Sequence, residues 1–333
     1  MSKTCVCAAG TGAAASHLER TGPVMTDMEW IGLDWGTTNL RAYAIGAGGQ
    51  VAEEASSGNG MGTLAPADFE PALLDLIEPW IAARCRDGTD AVPVFACGMV
   101  GARQGWCEVP YREVPCPPVA ANEITRVPTR DKRIEMHILP GLSQRAPADV
   151  MRGEETQAAG FLLENPRYTG AICLPGTHSK WIAIDNGHIS GFTTYMTGEL
   201  FDVLSSHSIL RHTVTSDEWD EHAFRQAVEE ASAQPQRAVE TLFGLRAAAL
   251  VDNASPETCR SRLSGLLIGQ ELGLASRYWS DKPVALIGSS ATVPLYAQAL
   301  ASRVISVETV DTRAATLAGL AVAAAKSGAA SHG

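Results

Sequence analysis

Two short turns in this chain carry residues suited to anion chemistry. The first is Asp34-Trp-Gly36-Thr37-Thr38, inside "IGLDWGTTNLRAYAI"; the second is Gly176-Thr177, inside "LPGTHSKWIAI". Each lies between two apolar stretches that read as strands. Glycine lets a ligand approach the backbone closely. The N–H groups and threonine hydroxyls that follow can donate to phosphate oxygens. A plain hairpin explains one such turn, since Asp-x-Gly-Thr is an ordinary turn sequence. Two similarly placed copies point to phosphate.

Asp34 closes a buried strand, where a carboxylate is costly. Holding a hydrated Mg²⁺ beside phosphates would offset that cost, because Mg²⁺ keeps several waters and uses one or two carboxylates. Arg41 and Lys180 follow the two turns and could reach anionic oxygens, and His178 lies inside the second. A third piece, Gly288-Ser289-Ser290, ends a strand and begins a helix, which suits a nucleotide against backbone or an ordinary helix cap. A fourth, "MRGEETQAAGF", opens a helix with Glu154 and Glu155. Acids stabilise a helix N-terminus, yet a carboxylate near an acceptor hydroxyl can also serve as general base in phosphoryl transfer. A fifth, "CGMVGARQGWCEVPY", is a glycine-rich loop after a strand. Its Gly98, Met99, Arg103, Trp106 and Tyr111 suit a small polyol ligand, or the two aromatic rings form a local core. Arg103, Arg152 or Lys180 could pair with a substrate carboxylate.

The elements that must position these groups repeat. Strands are expected at 30–35, 39–46 and 50–56, a helix at 66–85, strands at 91–98 and 134–139, and a loop entering a helix over 148–164. Three strands recur over 170–197. Helices follow near 199–208, 216–231, 235–250 and 256–279. A strand at 283–288, a helix near 291–301, a strand at 304–308 and an Ala-rich helix at 312–326 complete the chain. The chain therefore divides into an N-terminal unit over 29–150, a linking helix over 151–164 and a C-terminal unit over 165–326. Residues 1–28 read as a disordered extension, and 327–333 as a tail. A ligand belongs in the cleft between two copies of one unit.

The chain has 333 residues, with 45% hydrophobic and 19% charged, enough for two packed domains. A net charge of −11 argues against a nucleic-acid binder. No apolar run is long enough for a membrane helix. The eight cysteines form no Cys-x-x-Cys pair and fit reduced thiols in a cytoplasmic protein. His207 and His212 are five apart and share no helix face, so they make a poor zinc pair. Gly10-x-Gly12-x-x-Ala15 imitates a dinucleotide fingerprint without the strand that should precede it. A homodimer is left open.

Taken together, "DWGTT", "PGTHSKW" and "LIGSS" resemble the phosphate and adenosine motifs of the acetate and sugar kinase, heat-shock chaperone and actin superfamily. The combination "GLDWGTTNLRAY", "GMVGARQGW", "RGEETQ", "LPGTHSKW" and "MTGELFDVL" is similar to the 2-dehydro-3-deoxygalactonokinase family. The resemblance implies an α/β fold of two ribonuclease-H-like domains with ATP and Mg²⁺ in the inter-domain cleft. It implies phosphorylation of the terminal hydroxyl of 2-dehydro-3-deoxy-D-galactonate. By the same resemblance Asp34 positions Mg²⁺, and Gly36, Thr37 and Thr38 contact one end of the triphosphate. Gly176 and Thr177 contact the γ-phosphate, and Gly288 and Ser289 line the adenosine site. Glu155-Thr-Gln157-Ala-Ala takes the place of an Asp-Gln-Gln-Ala-Ala-like catalytic segment. Glu155 is then the base, with Glu154 as the alternative. Kinases of other sugar acids, an ATP-binding switch without a small acceptor, and a phosphatase using water are the competing readings.

Overall fold

Alternating burial along short strands builds two sheets. The computed structural model describes residues 28–85, 91–301 and 303–328. In chain order, β1 (Met28–Trp35), β2 (Leu40–Gly46) and β3 (Val51–Ser57) form an antiparallel meander, followed by α1 (Phe69–Arg84) and β4 (Val92–Gly98). Next come β5 (Arg112–Glu113), β6 (Thr125–Val127), β7 (Ile134–Ile138), β8 (Leu142–Arg145), β9 (Ala148–Met151) and α2 (Glu154–Glu164). The meander then recurs as β10 (Gly170–Leu174), β11 (Ser179–Asp185) and β12 (His188–Tyr195). It is followed by α3 (Thr197–Ser206), α4 (Glu221–Ala233), α5 (Ala238–Val251), α6 (Pro256–Leu274) and α7 (Ser276–Trp279). The chain closes with β13 (Val284–Gly288), α8 (Val293–Leu300), β14 (Val307–Asp311) and α9 (Thr312–Ser327).

The first sheet has the order β3-β2-β1-β4-β7-β6 and the second β12-β11-β10-β13-β14. Without the edge strand β6 the two orders are equivalent. In both, the meander is antiparallel and its first strand pairs in parallel with the next. These are two ribonuclease-H-like units. The strands β5, β8 and β9 form a separate small sheet.

Period-two alternation gives each sheet two buried faces. In β1, Ile31, Leu33 and Trp35 face α1, whereas Trp30 joins Tyr43, Phe95 and Cys97 beneath α9. In the second sheet, Ile172, Leu174, Ile182 and Ile287 face α2, and Ala171, Cys173, Trp181 and Leu286 face α4, α6 and α8. The last helix therefore covers the first sheet, although it follows the second in sequence.

Helices α2 and α9 cross where both have glycine. A Cβ on Gly160 would lie 1.9 Å from the Ala315 carbonyl oxygen, and one on Gly319 would lie 1.9 Å from that of Thr156. The backbones touch there, and no side chain can yield to make room.

Several expectations shift. Residues 1–27, with Gly10, Gly12 and Ala15, and residues 329–333 lie outside the described residues. Met28 is not part of an extension but opens β1, 2% exposed. Ser327 ends α9, and Gly328, at φ 79°, caps it. The loop expected before α2 is a strand, β9, hidden because its exposed positions mask the alternation. The helix expected over 256–279 breaks at Ala275 into α6 and α7. The strand expected at 304–308 is Val307–Asp311, registered by pairing of Val284 with Val307; Asp311 Oδ1 then accepts the Ala314 N–H and caps α9.

Gly160→Ala tests the crossing. Alanine gains about 1 kcal/mol of helix propensity over glycine, but overpacking against rigid backbone costs about 1–3 kcal/mol or more. We expect net destabilisation in urea unfolding. Gly244→Ala, in α5 with open space around its Cβ, should instead stabilise by about 0.5–1 kcal/mol. Equal effects at the two sites would contradict the backbone contact.

Candidate active site

Both Gly-Thr turns sit at the same topological place, between the first two strands of each meander. They open on one cleft of about 1190 Å³. The C-terminal ends of the parallel strands β4 and β13 reach the same cleft at Gly98 and Gly288. Ligands of open α/β sheets bind at such strand ends.

The first turn is closed by the Gly36 N–H donating to the Asn39 carbonyl at 2.9 Å. A loop after β3 braces it from below. The Met61 N–H donates to Gly36 O at 3.0 Å, Gly62 N–H to Thr37 O at 2.8 Å and Gly60 N–H to Thr38 O at 3.1 Å. A Cβ on Gly60 would lie 2.2 Å from the Thr38 carbonyl carbon, so only glycine fits. The sequence reading missed this brace; the glycine density of "GNGMG" after a strand was its signal.

The second turn is braced by α3. Glu199 N–H donates to Thr177 O at 3.0 Å, and a Cβ on Gly198 would lie 2.5 Å from Gly176 O. Gly176 itself has open space where its Cβ would stand. The start of α3 faces the cleft through Thr197 and Gly198, adding a helix N-terminus to the turn. His178 Nε2 pairs with Glu199 Oε2 at 2.5 Å.

Of the expected residues, Asp34, Gly36, Thr37, Gly98, Met99, Arg152, Glu154, Gly176, Thr177, His178, Gly288 and Ser289 line the cleft. Asp34 Oδ2 is 2.9 Å from Arg41 Nη1, its cross-strand partner. Ser289 Oγ accepts the Thr292 N–H at 3.3 Å, tying the Gly288 turn to α8.

The structure does not bring the others to the cleft. Thr38 and Ser290 point to solvent. Arg103 is on the outer surface, paired with Glu108 at 3.3 Å. Trp106 packs edge-on against Trp35, 6.2 Å between centroids, so it belongs to the local core. Tyr111 backs the site instead of lining it, with the Arg152 guanidinium 4.3 Å above its ring. Lys180 is buried and held by Glu154 Oε1 at 3.0 Å. Unforeseen lining comes from Trp219, Arg260, Ser264 and Thr312; these lie on helices or loops without a local motif.

The two acids at the start of α2 separate. Glu154 faces the cleft, with Oε2 accepting the Arg152 N–H at 2.9 Å. Glu155 turns into the interior, 1% exposed. Its Oε2 accepts from Gly153 N–H at 2.7 Å and its Oε1 from the Thr156 hydroxyl at 3.1 Å. This clasp holds Gly153 at φ 109°, a conformation that favours glycine. Burial, reinforced by Glu154, pushes the Glu155 carboxyl up to about 7. Glu155 thus shapes the turn, and the carboxylate within reach of a cleft ligand is that of Glu154.

Arg152 is 8% exposed. Its Nη2 donates to Val109 O at 2.8 Å, but Nε and Nη1 have no hydrogen-bond partner among the described residues. A buried cation with idle N–H groups is costly. The cation–π contact with the Tyr111 ring offsets part of that cost. Among the described residues, no group of three or more His, Cys, Asp or Glu forms a metal cage. A metal here would rest on Asp34 with phosphate oxygens and water, as suits Mg²⁺.

The raised Glu155 carboxyl makes stability depend on pH. The ordinary value is 4.5, so the folded chain keeps a proton that the unfolded chain loses. That stabilisation is full below pH 4.5 and disappears as pH rises through about 7. Glu155→Gln has no such proton. Its melting temperature should gain on the wild type between pH 5 and 8, on the order of 2–4 °C. A difference that stays flat with pH would remove the buried-acid account.

Three comparisons place the chain. A family model described as 2-keto-3-deoxy-galactonokinase matches residues 34–323. A protein of Rhizobium meliloti named as probable 2-dehydro-3-deoxygalactonokinase DgoK1 is 39% identical over 299 residues, 88% of this chain and 95% of its own. The 2-dehydro-3-deoxygalactonokinase of Escherichia coli is 32% identical over 274 residues, 81% of this chain and 88% of its own. The crystal structure of a candidate 2-dehydro-3-deoxygalactonokinase from Sinorhizobium meliloti superposes with a TM-score of 0.80 at 39% identity, covering 89% of this chain and 98% of that one. With the duplicated fold and two Gly-Thr turns across one cleft, these matches show that the chain belongs to the 2-keto-3-deoxy-galactonokinase family.

Proposed function

We propose that this enzyme transfers the γ-phosphoryl group of ATP to the 6-hydroxyl of 2-dehydro-3-deoxy-D-galactonate, giving the 6-phosphate. The observation that carries the acceptor class is Arg152: a guanidinium in the cleft wall with no acidic partner among the described residues. A keto-deoxy acid brings a carboxylate that can pair with that cation. A neutral sugar does not.

The triphosphate lies between the turns, with Gly36 and Thr37 on one side and Gly176 and Thr177 on the other. Gly288 and Ser289 face the adenosine end. Asp34 would hold a Mg²⁺, which when bound would neutralise charge on the phosphate oxygens. Arg152 anchors the acid, with Tyr111 behind its guanidinium and Gly98 and Met99 beside it. Glu154 accepts the proton of the attacking hydroxyl, which loses it as the new O–P bond forms and the ADP oxygen leaves. Glu155 holds the turn that presents Glu154. Lys180 fixes the Glu154 carboxylate and touches no ligand. Closing the cleft excludes water, which would otherwise take the phosphoryl group. Such an enzyme works in the cytoplasm, in keeping with the buried free thiols of Cys97, Cys173 and Cys259. Among the described residues no helix is long and apolar enough to cross a membrane.

Steady-state kinetics with ³¹P detection of the product ester test these roles. Arg152→Met should raise KM for the acid by roughly 30- to 150-fold, the loss of about 2–3 kcal/mol of charged hydrogen bonding, and leave KM for ATP unchanged. Glu154→Gln should lower kcat by about 10²–10⁴ with ATP affinity intact. An Arg152 variant that loses ATP and acid alike, or full turnover in Glu154→Gln, would move those roles elsewhere.

A further inference from the structure

Behind the second turn lies a carboxylate that the reaction does not use. Glu271, near the C-terminal end of α6, is 2% exposed. Its Oε1 accepts from the Trp181 indole N–H at 2.7 Å. Its Oε2 accepts from the Tyr296 hydroxyl at 2.7 Å and from the Thr197 hydroxyl. The Ser179 hydroxyl sits 3.1 Å from that of Tyr296 and extends the cluster. Burial raises the Glu271 pKa, and these side-chain hydrogen bonds pull it back.

Such a group works against stability. A buried carboxylate carries a desolvation penalty that its partners must offset, and a well-packed apolar side chain of the same size often does better. The donors share something other than packing. Trp181 and Ser179 lie on β11, the strand that leaves the second turn. Thr197 is the first residue of α3, and the next residue, Gly198, packs on Gly176 and Thr177. Tyr296 is in α8, which follows Gly288 and Ser289. Thr197 and Tyr296 also line the cleft. One carboxylate therefore ties together three separate pieces of the nucleotide half.

We propose that Glu271 is a positioning residue for the nucleotide, holding β11, the start of α3 and α8 in one arrangement through Trp181, Thr197 and Tyr296. This rests on the ATP reading of the cleft. Displacements of about 1 Å at a binding constellation are enough to lose function. Glu271→Gln has the same shape, and its amide oxygen can still accept from Trp181, which is a donor only. Its amide nitrogen then faces two hydroxyls that both donate to the carboxylate, so both must turn and find new acceptors. The cluster loosens without a cavity.

The test is equilibrium binding of ADP and Mg²⁺ to the full chain by calorimetry, without acceptor, alongside KM for the acid and thermal melting. Glu271→Gln should bind ADP about tenfold more weakly, equivalent to about 1.4 kcal/mol. Its KM for the acid should stay within about twofold and its melt stay cooperative. Thr197→Val removes one donor and leaves the carboxylate; it should weaken ADP binding in the same selective way, and it decides the matter if Glu271→Gln does not fold. Undiminished ADP affinity, or nucleotide and acid binding falling together with a broadened melt, overturns the positioning role. A wild-type chain that binds no nucleotide overturns the ATP reading and this inference with it; normal wild-type binding with normal variant binding overturns this inference alone.

Discussion

The structure depends on two carbonyl oxygens, of Ala315 and Thr156, standing within 1.9 Å of where the Cβ atoms of Gly160 and Gly319, respectively, would be. That contact brings α2 and α9 together at backbone distance. Helix α2 packs mainly on the second sheet, and α9 mainly on the first. Their crossing therefore fixes how the two sheets face each other, and with that the span between the two Gly-Thr turns. It also fixes the start of α2, where Glu154 meets the cleft. Packed interiors are not continuously deformable, so a larger residue at either glycine would be felt at the site as well as in stability.

Three acids in and around the cleft stand in pairs with basic side chains. Asp34 pairs with Arg41, Glu154 with Lys180, and Glu199 with His178. The Asp34–Arg41 and Glu199–His178 pairs are partly exposed, and such pairs are worth about 0–1 kcal/mol. Arg41 can be surrendered to phosphate at small cost. The chain as a whole carries −11, yet its cleft can receive anions through backbone N–H groups and exchangeable pairs. Arg152 and Arg260 stand apart: among the described residues neither has an acidic partner, and each lies over an aromatic ring, Tyr111 and Phe201. On the proposed function, ATP would meet the exchangeable pairs and the acid would meet Arg152.

Local chemistry was legible in the sequence, and long-range packing was not. The two turns could be placed because Gly-Thr between apolar strands marks a turn within five residues, and the repeated meander predicted equivalent sheets. Glu154 and Glu155 could not be told apart, since both are acids at a helix start; only the direction of burial separates them. Trp106 read as a ligand contact because an aromatic residue in a glycine-rich loop has the same local signature whether it meets a sugar or, as here, Trp35. The last helix read as part of the second unit by adjacency, whereas its apolar stripe of Leu320, Ala323 and Ala324 completes the core of the first sheet. Glu271 gave no signal, because its donors are 25 to 90 residues away.

The central claim is that the cleft joins ATP to an anionic acceptor. The direct measurement is ADP release from ATP and Mg²⁺ by the purified chain, with 2-dehydro-3-deoxy-D-galactonate, with its gluconate epimer, and with no acceptor. Strong stimulation by the galactonate acid over both other conditions is the expected result. Release that is the same with and without acceptor would contradict the kinase account and return the cleft to a switch or a phosphatase.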